Sequence, residues 1–309
     1  MNLISIVTPC YNEEQNVENL YQQVKAVFDV LPQYNYEHIF IDNSSTDSTV
    51  EILKNISRAD QNIKIIVNIR NFGHIRSPYY GILQANGDAV ILVVADLQDP
   101  PKMIATFLEK WEEGYKIVIG TKNKSKENKI MFFIRKLFYK AISRISETEQ
   151  VKNFTGFGLY DKTFIDILRT IDEPYPYFRG LITELGFGRI EIPYTQPKRE
   201  KGKTNNNFYT LYDIAMLGFI NYSKLPLRLS SFIGFAVSLL SFLIALGYLF
   251  AKLIFWSTFS IGVAPLVIGL FFFGGVQLFF LGIIGEYIGA IFTQVKKRPL
   301  VVEKERINF

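Results

Sequence analysis

Two long stretches without charged residues constrain the fold of this chain more than any other feature. One runs from Leu229 to Ala251 and the other from Ser257 to Gly285. An α-helix needs about 20 apolar residues to cross the hydrocarbon core of a bilayer, which is about 30 Å thick. Both stretches meet this length, so we predict two transmembrane helices in the C-terminal third of the chain.

Basic residues that flank these stretches indicate the orientation of the predicted helices. Lys224 and Arg228 precede the first helix, whereas Lys296, Lys297 and Arg298 follow the second. Cytoplasmic ends of transmembrane helices carry an excess of lysine and arginine. We therefore expect both outer ends, and the large N-terminal part of the chain, in the cytoplasm.

The N-terminal part alternates short apolar runs with helical patterns. This alternation predicts an α/β domain with a mostly parallel sheet and helices on both faces. We expect a catalytic domain at residues 1–206, a juxtamembrane amphipathic helix at 207–226, the membrane module at 227–295 and a basic cytoplasmic tail at 296–309. The predicted strands are Leu3–Thr8, Glu37–Asp42, Ile63–Asn68, Ala89–Val94 and Ile117–Thr121, and the helical patterns between them are Glu14–Val30, Thr46–Ser57, Tyr79–Ala85 and Lys102–Glu113.

Polar side chains follow each of the first four predicted strands. Because ligands of parallel sheets bind beyond the carboxyl ends of the strands, these side chains are predicted to converge on one rim. The segment from Asp42 to Asp47, taken alone, fits a helix N-cap cluster equally well. The groups are Asn12 and Glu13, the run Asp42 to Ser45, Arg70 with Asn71, and Asp96.

The sequence Asp96-Leu97-Gln98-Asp99-Pro100-Pro101 follows the fourth predicted strand. It places the Asp96 carboxylate and, two residues later, the Gln98 side-chain oxygen on the loop that leaves the strand. Oxygen ligands at this point of an α/β sheet are suited to a divalent cation and a diphosphate. We therefore predict a metal site there, with Asp96 and Gln98 as its protein ligands.

Two amphipathic stretches and one basic cluster lie between the α/β pattern and the first apolar stretch. The stretch 126–145 fits either a helix on the membrane surface or a helix packed on the sheet with a solvated basic face. The stretch 208–222 directly precedes the first membrane helix, which favours an interfacial position. Lys198, Arg199, Lys201 and Lys203 surround Gly202, which favours phosphate capture over a merely exposed basic linker.

Composition excludes several classes of protein. Cys10 is the single cysteine, so no intrachain disulfide forms, and with only His38 and His74 a Cys/His zinc site is excluded. The net charge is +5. We assign this charge to anionic lipids or phosphorylated substrates, and not to nucleic acid.

Motifs along nearly the whole chain resemble those of polyisoprenyl-phosphate glycosyltransferases of glycosyltransferase family two, the group of dolichyl-phosphate mannose synthases and bactoprenol glucosyltransferases. They are Pro9-Cys10-Tyr11-Asn12-Glu13-Glu14, Arg70-Asn71-Phe72-Gly73, the Asp96 to Pro101 loop, Leu225-Pro226-Leu227-Arg228, Gly274-Gly275-Val276-Gln277, Gly285-Glu286-Tyr287-Ile288-Gly289 and Lys297-Arg298-Pro299. The resemblance implies a GT-A fold, a nucleotide-sugar donor that is UDP-linked by family habit, a polyprenyl (undecaprenyl) phosphate acceptor, Mg²⁺ or Mn²⁺, and a homotetramer in the bacterial inner membrane.

The resemblance and the polar rim together assign the site residues. Asp96 is the expected catalytic residue, because its cation would offset charge on the departing nucleotide. The expected donor-binding residues are Pro9, Tyr11, Asn12, Glu13, Asp42, Asn43, Arg70, Asn71 and Asp96. The expected acceptor-phosphate residues are Lys122, Arg135, Arg199 and Lys203, and the metal ligands are Asp96 and Gln98.

Departures from the family pattern leave a second function open. Val94 stands at the first position of the usual Asp-x-Asp loop, Asn43 replaces an acid, and the run Thr155 to Leu159 lacks the aspartate of Gly-Asp-Phe-Arg-Leu. Val94 and Phe157 thus favour an alternative, a catalytically weakened scaffold that binds nucleotide sugars. A processive polysaccharide synthase is disfavoured, since no Gln-x-x-Arg-Trp motif follows the metal loop and two helices leave little room for a polymer channel.

Overall fold

The structure is a computed structural model that describes residues 1–123, 151, 153–197, 225–254 and 263–309. The chain forms two compact units. One comprises Met1–Gly218 together with Lys296–Phe309, and the other comprises Phe219–Val295. The first unit therefore takes residues from both sides of the second in sequence.

The first unit contains one eight-stranded sheet among its described residues, in the order β7-β5-β6-β4-β1-β2-β3-β8. Its strands are β1 (Asn2–Cys10), β2 (Tyr34–Asp42), β3 (Ile63–Asn68), β4 (Ala89–Leu92), β5 (Ile117–Lys122), β6 (Phe154–Asp161), β7 (Arg189–Tyr194) and β8 (Glu303–Ile307). Its described helices are α1 (Val17–Asp29), α2 (Thr49–Ala59), α3 (Gly73–Gln84), α4 (Met103–Glu112), α5 (Lys162–Thr170) and α6 (Phe178–Glu184).

Strand directions confirm the predicted mostly parallel α/β sheet, and two strands run antiparallel to their neighbours. β3, β2, β1 and β4 are mutually parallel, and β5 is parallel to β7. β6 lies antiparallel between β4 and β5, and β8 is antiparallel to β3. The carboxyl ends of β1 to β4 consequently share one edge of the sheet.

Helices cover both faces of this sheet, as the alternation predicts. One buried cluster contains Leu20 of α1, Leu53 of α2 and Phe107 of α4. The cluster on the other face contains Tyr79 of α3 and Phe164 of α5. The central strands are buried on both sides, which explains why they read as continuous apolar runs in the sequence.

The edge strand β8 comes from the last residues of the chain, which the sequence pattern predicts only as a basic tail. Glu305 forms a salt bridge of 2.6 Å with Lys54 of α2. The Asn308 side-chain amide donates to the carbonyls of Ser57 and Ile63 at 3.0 and 2.9 Å. The run Glu-Lys-Glu-Arg-Ile carries one apolar residue, so its pattern resembles a solvated tail although its backbone completes the sheet.

The second unit contains the two predicted apolar helices, α7 (Leu225–Ile254) and α8 (Val263–Val295). Leu227–Ile244 and Ile268–Val295 have mean hydropathies of 1.9 and 2.1, and neither window is buried inside the protein. Both helices are long and apolar enough to cross a membrane. The two predicted amphipathic helices fall within residues 124–150 and 198–224, outside the described residues.

Candidate active site

Backbone and side-chain hydrogen bonds join the loops that follow β1 and β2. The Asn12 N–H donates to the Ser45 hydroxyl at 2.8 Å, and the Asn12 side-chain oxygen accepts from the Thr46 N–H at 2.8 Å. The Glu13 N–H donates to the Thr49 hydroxyl at 2.9 Å. Asn12 has a φ of +55°, which asparagine tolerates better than most residues. Two of the predicted rim segments are therefore in direct contact.

The Asp42 carboxylate organises the loop after β2. Its Oδ2 accepts from the Ser45 N–H at 2.9 Å. Burial raises the pKa of Asp42, and the hydrogen bonds from Ser45 oppose this shift. At the start of α2, Asp47 and not Asp42 accepts the Thr49 N–H, at 3.0 Å. The N-cap residue of α2 is Ser48, whose side chain makes no capping hydrogen bond, so Asp42 does not cap this helix. Asp42 is instead buried at the end of β2.

Asn43 connects the rim to the loop after β3. Its Nδ2 donates to Asn71 Oδ1 at 2.8 Å and to the Gly73 carbonyl at 3.2 Å. Its Oδ1 accepts from the Phe72 N–H at 2.8 Å and from the Asn68 amide at 3.3 Å. All four hydrogen-bonding positions of this buried amide are therefore used within the protein. This geometry makes Asn43 a support for the Arg70 to Gly73 loop.

The metal loop leaves β4 next to the end of β1, since Leu92 is in register with Val7. Leu97 adopts a φ of +57°, which is unfavourable for a leucine by about 1–2 kcal/mol. Its side chain packs against the buried cluster of α1, α2 and α4, which accounts for the conformation. The turn lets the backbone N–H of Gln98 donate to Asp96 Oδ1 at 3.1 Å, which fixes the Asp96 carboxylate on the loop.

Asp99 belongs to the same loop and is 3% exposed. Its Oδ1 accepts from the Tyr194 hydroxyl at 2.6 Å, and its carboxylate also accepts from the Val94 N–H. Burial raises the pKa of Asp99 to about 6, opposed by the Tyr194 hydrogen bond and the charge of Lys122. Asp99 has no predicted role in the sequence-based site, because no local signal links it to Tyr194 on the distant strand β7.

The loop offers few metal ligands from the protein. Within the described ranges, no group of three His, Cys, Asp or Glu side chains is placed to hold a metal ion. Asp96 and Gln98 supply one carboxylate and one amide oxygen. Mg²⁺ in nucleotide sites is commonly held by one or two carboxylates, substrate phosphates and water. The residues present therefore fit a cation that takes most of its ligands from a bound diphosphate.

The structure locates the remaining predicted site residues only in part. Pro9 and Tyr11 are half-buried beside the rim, and Arg70 is exposed. Lys122 ends β5, and its positive charge lowers the pKa of Asp99. The three other predicted acceptor-phosphate residues, Arg135, Arg199 and Lys203, lie outside the described residues.

Phe157 belongs to the core of the sheet and not to the rim. It is fully buried, with its ring centroid 4.9 Å from that of Phe107 and 5.5 Å from that of Tyr194. The next residue is Gly158, where a Cβ would lie 2.6 Å from the Val118 carbonyl. The unusual run around Phe157 thus satisfies packing in β6.

Comparisons with known proteins agree with this architecture. A sequence model described as Glycosyl transferase family 2 matches residues 5–166. An uncharacterized glycosyltransferase of Synechocystis sp. is 36% identical over 298 residues, covering 96% of this chain and 93% of the relative. A bactoprenol glucosyl transferase of Shigella phage SfII is 31% identical over 303 residues, covering 98% and 97% of the two chains.

A solved structure shares the fold. Mannosyl-3-phosphoglycerate synthase from Rubrobacter xylanophilus superposes with a TM-score of 0.50 at 13% identity, covering 70% of this chain and 71% of that one. At this identity the likeness concerns the fold alone. It confirms the GT-A arrangement of strands and helices that the sequence resemblance implies.

Proposed function

Because this chain belongs to glycosyl transferase family 2, we propose that it transfers a monosaccharide from a nucleotide sugar to a polyprenyl phosphate. The relative from Shigella phage SfII, which aligns over nearly the whole length, supports a lipid acceptor by its name. The observation that carries the proposal is the position of the Asp96 carboxylate, held by the Gln98 backbone N–H on the loop after β4. This strand lies beside β1, whose loop is joined to that of β2. The two apolar helices support membrane association and hence access to a lipid substrate.

Asp96 and Gln98 would hold Mg²⁺ or Mn²⁺, which would offset the negative charge that develops on the leaving diphosphate. The protein fixes the geometry of the metal loop: Asp99 of this loop accepts a hydrogen bond of 2.6 Å from the Tyr194 hydroxyl. We assign donor binding to Pro9, Tyr11, Asn12, Glu13, Asp42, Arg70 and Asn71. Asn43 serves the same site by fixing the Arg70 to Gly73 loop.

The reaction proposed is an inverting displacement. A phosphate oxygen of the polyprenyl phosphate attacks the anomeric carbon, the bond from that carbon to the nucleotide breaks, and the nucleoside diphosphate leaves with the electron pair. The acceptor phosphate is already anionic near neutral pH, so it needs little help from a general base. We assign Lys122, Arg135, Arg199 and Lys203 to this phosphate, because positive charge reduces the repulsion between two approaching anions.

The proposed setting is the cytoplasmic leaflet of a bacterial inner membrane. Both helices of the second unit would span the bilayer, and the flanking basic residues would place the catalytic unit in the cytoplasm. We further propose an undecaprenyl phosphate acceptor, a UDP-linked donor and a homotetrameric assembly, in keeping with the family resemblance.

A scaffold that binds nucleotide sugars without turning them over is the alternative, and one observation favours it. Val94 occupies the position of a family aspartate, so the described loop presents one rim carboxylate, that of Asp96. The run around Phe157 also lacks the family aspartate, although Phe157 itself packs in the core.

A donor-panel assay tests the proposal. Full-length protein in detergent is incubated with undecaprenyl phosphate, Mg²⁺ or Mn²⁺, and each of several labelled nucleotide sugars. We expect label to become chloroform-extractable with one donor and to stay aqueous with the Asp96→Ala variant. Nucleotide binding without any extractable product across the panel would contradict catalysis and favour the scaffold.

A further inference from the structure

Three arginines lie where the loop after β3 meets the C-terminal tail, since Arg76 donates to the carbonyl of Pro299, the residue after Arg298. The Cζ atom of Arg70 lies 4.1 Å from the centroid of the Phe72 ring, and that of Arg76 lies 5.4 Å from it. Burial lowers the pKa of Arg76, and the charges of Arg70 and Arg298 lower it further. We call Arg70, Arg76 and Arg298 the arginine cluster.

The cluster lacks compensating negative charge within the described part of the chain. No carboxylate of that part forms a salt bridge with any of its three members. Arg76 donates through Nη2 to the Pro299 carbonyl, and Arg70 donates through Nη1 to the Asn71 carbonyl at 3.1 Å. The buried Nε of Arg76 has no partner among the described residues. Repulsion between these like charges destabilises the folded protein, and a bound anion would offset that repulsion.

The cluster and the metal loop follow different strands of the sheet. Asp96 follows β4 and Arg70 follows β3, and β1 and β2 lie between these strands. Three strand spacings of about 4.8 Å separate the two loops by roughly 14 Å. Mg²⁺ binds phosphate oxygens at about 2.0–2.1 Å, so a diphosphate on the metal stays near Asp96. The cluster is therefore a separate group of charges at the same edge of the sheet, three strands from the metal loop.

We propose that the arginine cluster binds a second phosphate group, separate from the donor diphosphate. Planar guanidinium groups present several N–H donors in a fork that matches phosphate oxygens, and three positive charges suit an anion of one or two charges. Arg298 follows Val295, the last residue of the apolar helix α8, by three residues. A phospholipid headgroup is accordingly one source of the phosphate, and a soluble phosphate compound is the other.

Thermal unfolding of the full-length protein tests this site without relying on sugar transfer. The midpoint is measured in neutral detergent against inorganic phosphate, with chloride at matched ionic strength as the reference. It is measured again in nanodiscs of phosphatidylglycerol and of phosphatidylcholine. The variants are Arg76→Gln with Arg298→Gln, Arg298→Gln alone, and the exposed control Arg58→Gln on α2. Glutamine at position 76 keeps a side-chain N–H donor but removes the positive charge.

A soluble ligand would be supported if phosphate raised the unfolding midpoints of wild type and control. The double variant should then bind phosphate with an apparent affinity at least about tenfold weaker. Stabilisation by phosphatidylglycerol over phosphatidylcholine that disappears in the double variant would support a lipid headgroup. Arg298 is exposed, so its single variant tests the same effects if the double variant does not fold. Equal responses of wild type and variants to both phosphate and lipid would overturn the proposal.

Discussion

At the scale of single residues, Asp96 is the group on which the proposed chemistry depends. Asp96→Asn keeps an oxygen that accepts the Gln98 N–H, so the loop retains its shape, but the negative charge for the cation is lost. We expect turnover to fall by about 100-fold or more. Initial rates of glycolipid formation measure this, with Asp29→Asn on the exposed side of α1 as the matched control. Turnover of Asp96→Asn within about threefold of wild type would contradict the assignment.

Asn43 gives a second test, because a carboxylate has the same shape but no N–H groups. Asn43→Asp loses the hydrogen bonds to Asn71 Oδ1 and the Gly73 carbonyl and places negative charge beside both oxygens. We expect the unfolding free energy to fall by about 1–3 kcal/mol and the donor KM to rise with little change in kcat. Asn55→Asp on the exposed face of α2 is the control. An unchanged KM would exclude a supporting role for Asn43.

His38 makes stability depend on pH. It is fully buried on β2, with Nε2 2.9 Å from the Thr8 hydroxyl oxygen, and burial lowers its pKa to about 3. Because the unfolded chain binds this proton near pH 6.5 and the folded chain does not, His38 favours folding above pH 6.5 and loses that contribution as pH falls towards 3. Unfolding midpoints between pH 8 and pH 5 should decline less in His38→Gln than in wild type. Parallel declines would show that His38 is not responsible.

At the scale of elements, deletion of β8 tests whether this edge strand stabilises the sheet. Deletion of residues 301–309 removes the ladder to β3, the Lys54–Glu305 salt bridge and the Asn308 hydrogen bonds. Each lost hydrogen bond costs about 0.5–1.5 kcal/mol, and the exposed edge of β3 promotes association. We expect a clearly lower unfolding midpoint and more aggregation on size exclusion, whereas Lys304→Gln, exposed on the same strand, should behave as wild type. A deletion variant as stable and monodisperse as the control would contradict this.

Elements with strong periodicity were predictable, and those defined by distant pairing were not. The first five strands and the helices α1, α2 and α4 follow from buried apolar runs and helical spacing, which are local features of the sequence. The prediction of α3 as Tyr79–Ala85 missed its first turns, since the helix begins at Gly73 and contains Pro78. The charged run Glu303 to Ile307 gives no such signal, since an edge strand needs only backbone partners. The antiparallel placement of β6 likewise depends on pairing with β4 and β5, which no local pattern specifies.

In the candidate site, too, residues with a local sequence signal were predictable and residues defined by distant contacts were not. The positions of Asp42 at the end of β2 and of Asp96 on the loop after β4 were predictable, because both lie at the carboxyl ends of apolar strands. The role of Asn43 as a four-bond support was not, because it depends on where Asn68, Asn71 and Gly73 lie in space. Asp99 pairs with Tyr194 across 95 residues of sequence, so only the fold reveals it.

At the scale of the whole molecule, the apolar unit interrupts the catalytic unit in sequence. Residues 1–218 lack β8, whose residues follow the second apolar helix. A truncated chain that ends before α7 is therefore an incomplete catalytic unit, and the full chain is the proper material for functional work. The proposed transfer reaction also needs both units, one for the sugar donor and one for membrane association.

The central claim is that a cation at the end of β4 holds the sugar donor. Diffraction data collected at a wavelength sensitive to manganese, from crystals of the full chain with Mn²⁺ and UDP, test it most directly. We predict one anomalous peak within coordination distance, about 2.0–2.6 Å, of Asp96 and Gln98 oxygens and of the diphosphate. A diphosphate bound elsewhere on the sheet, or a peak remote from Asp96, would contradict the claim.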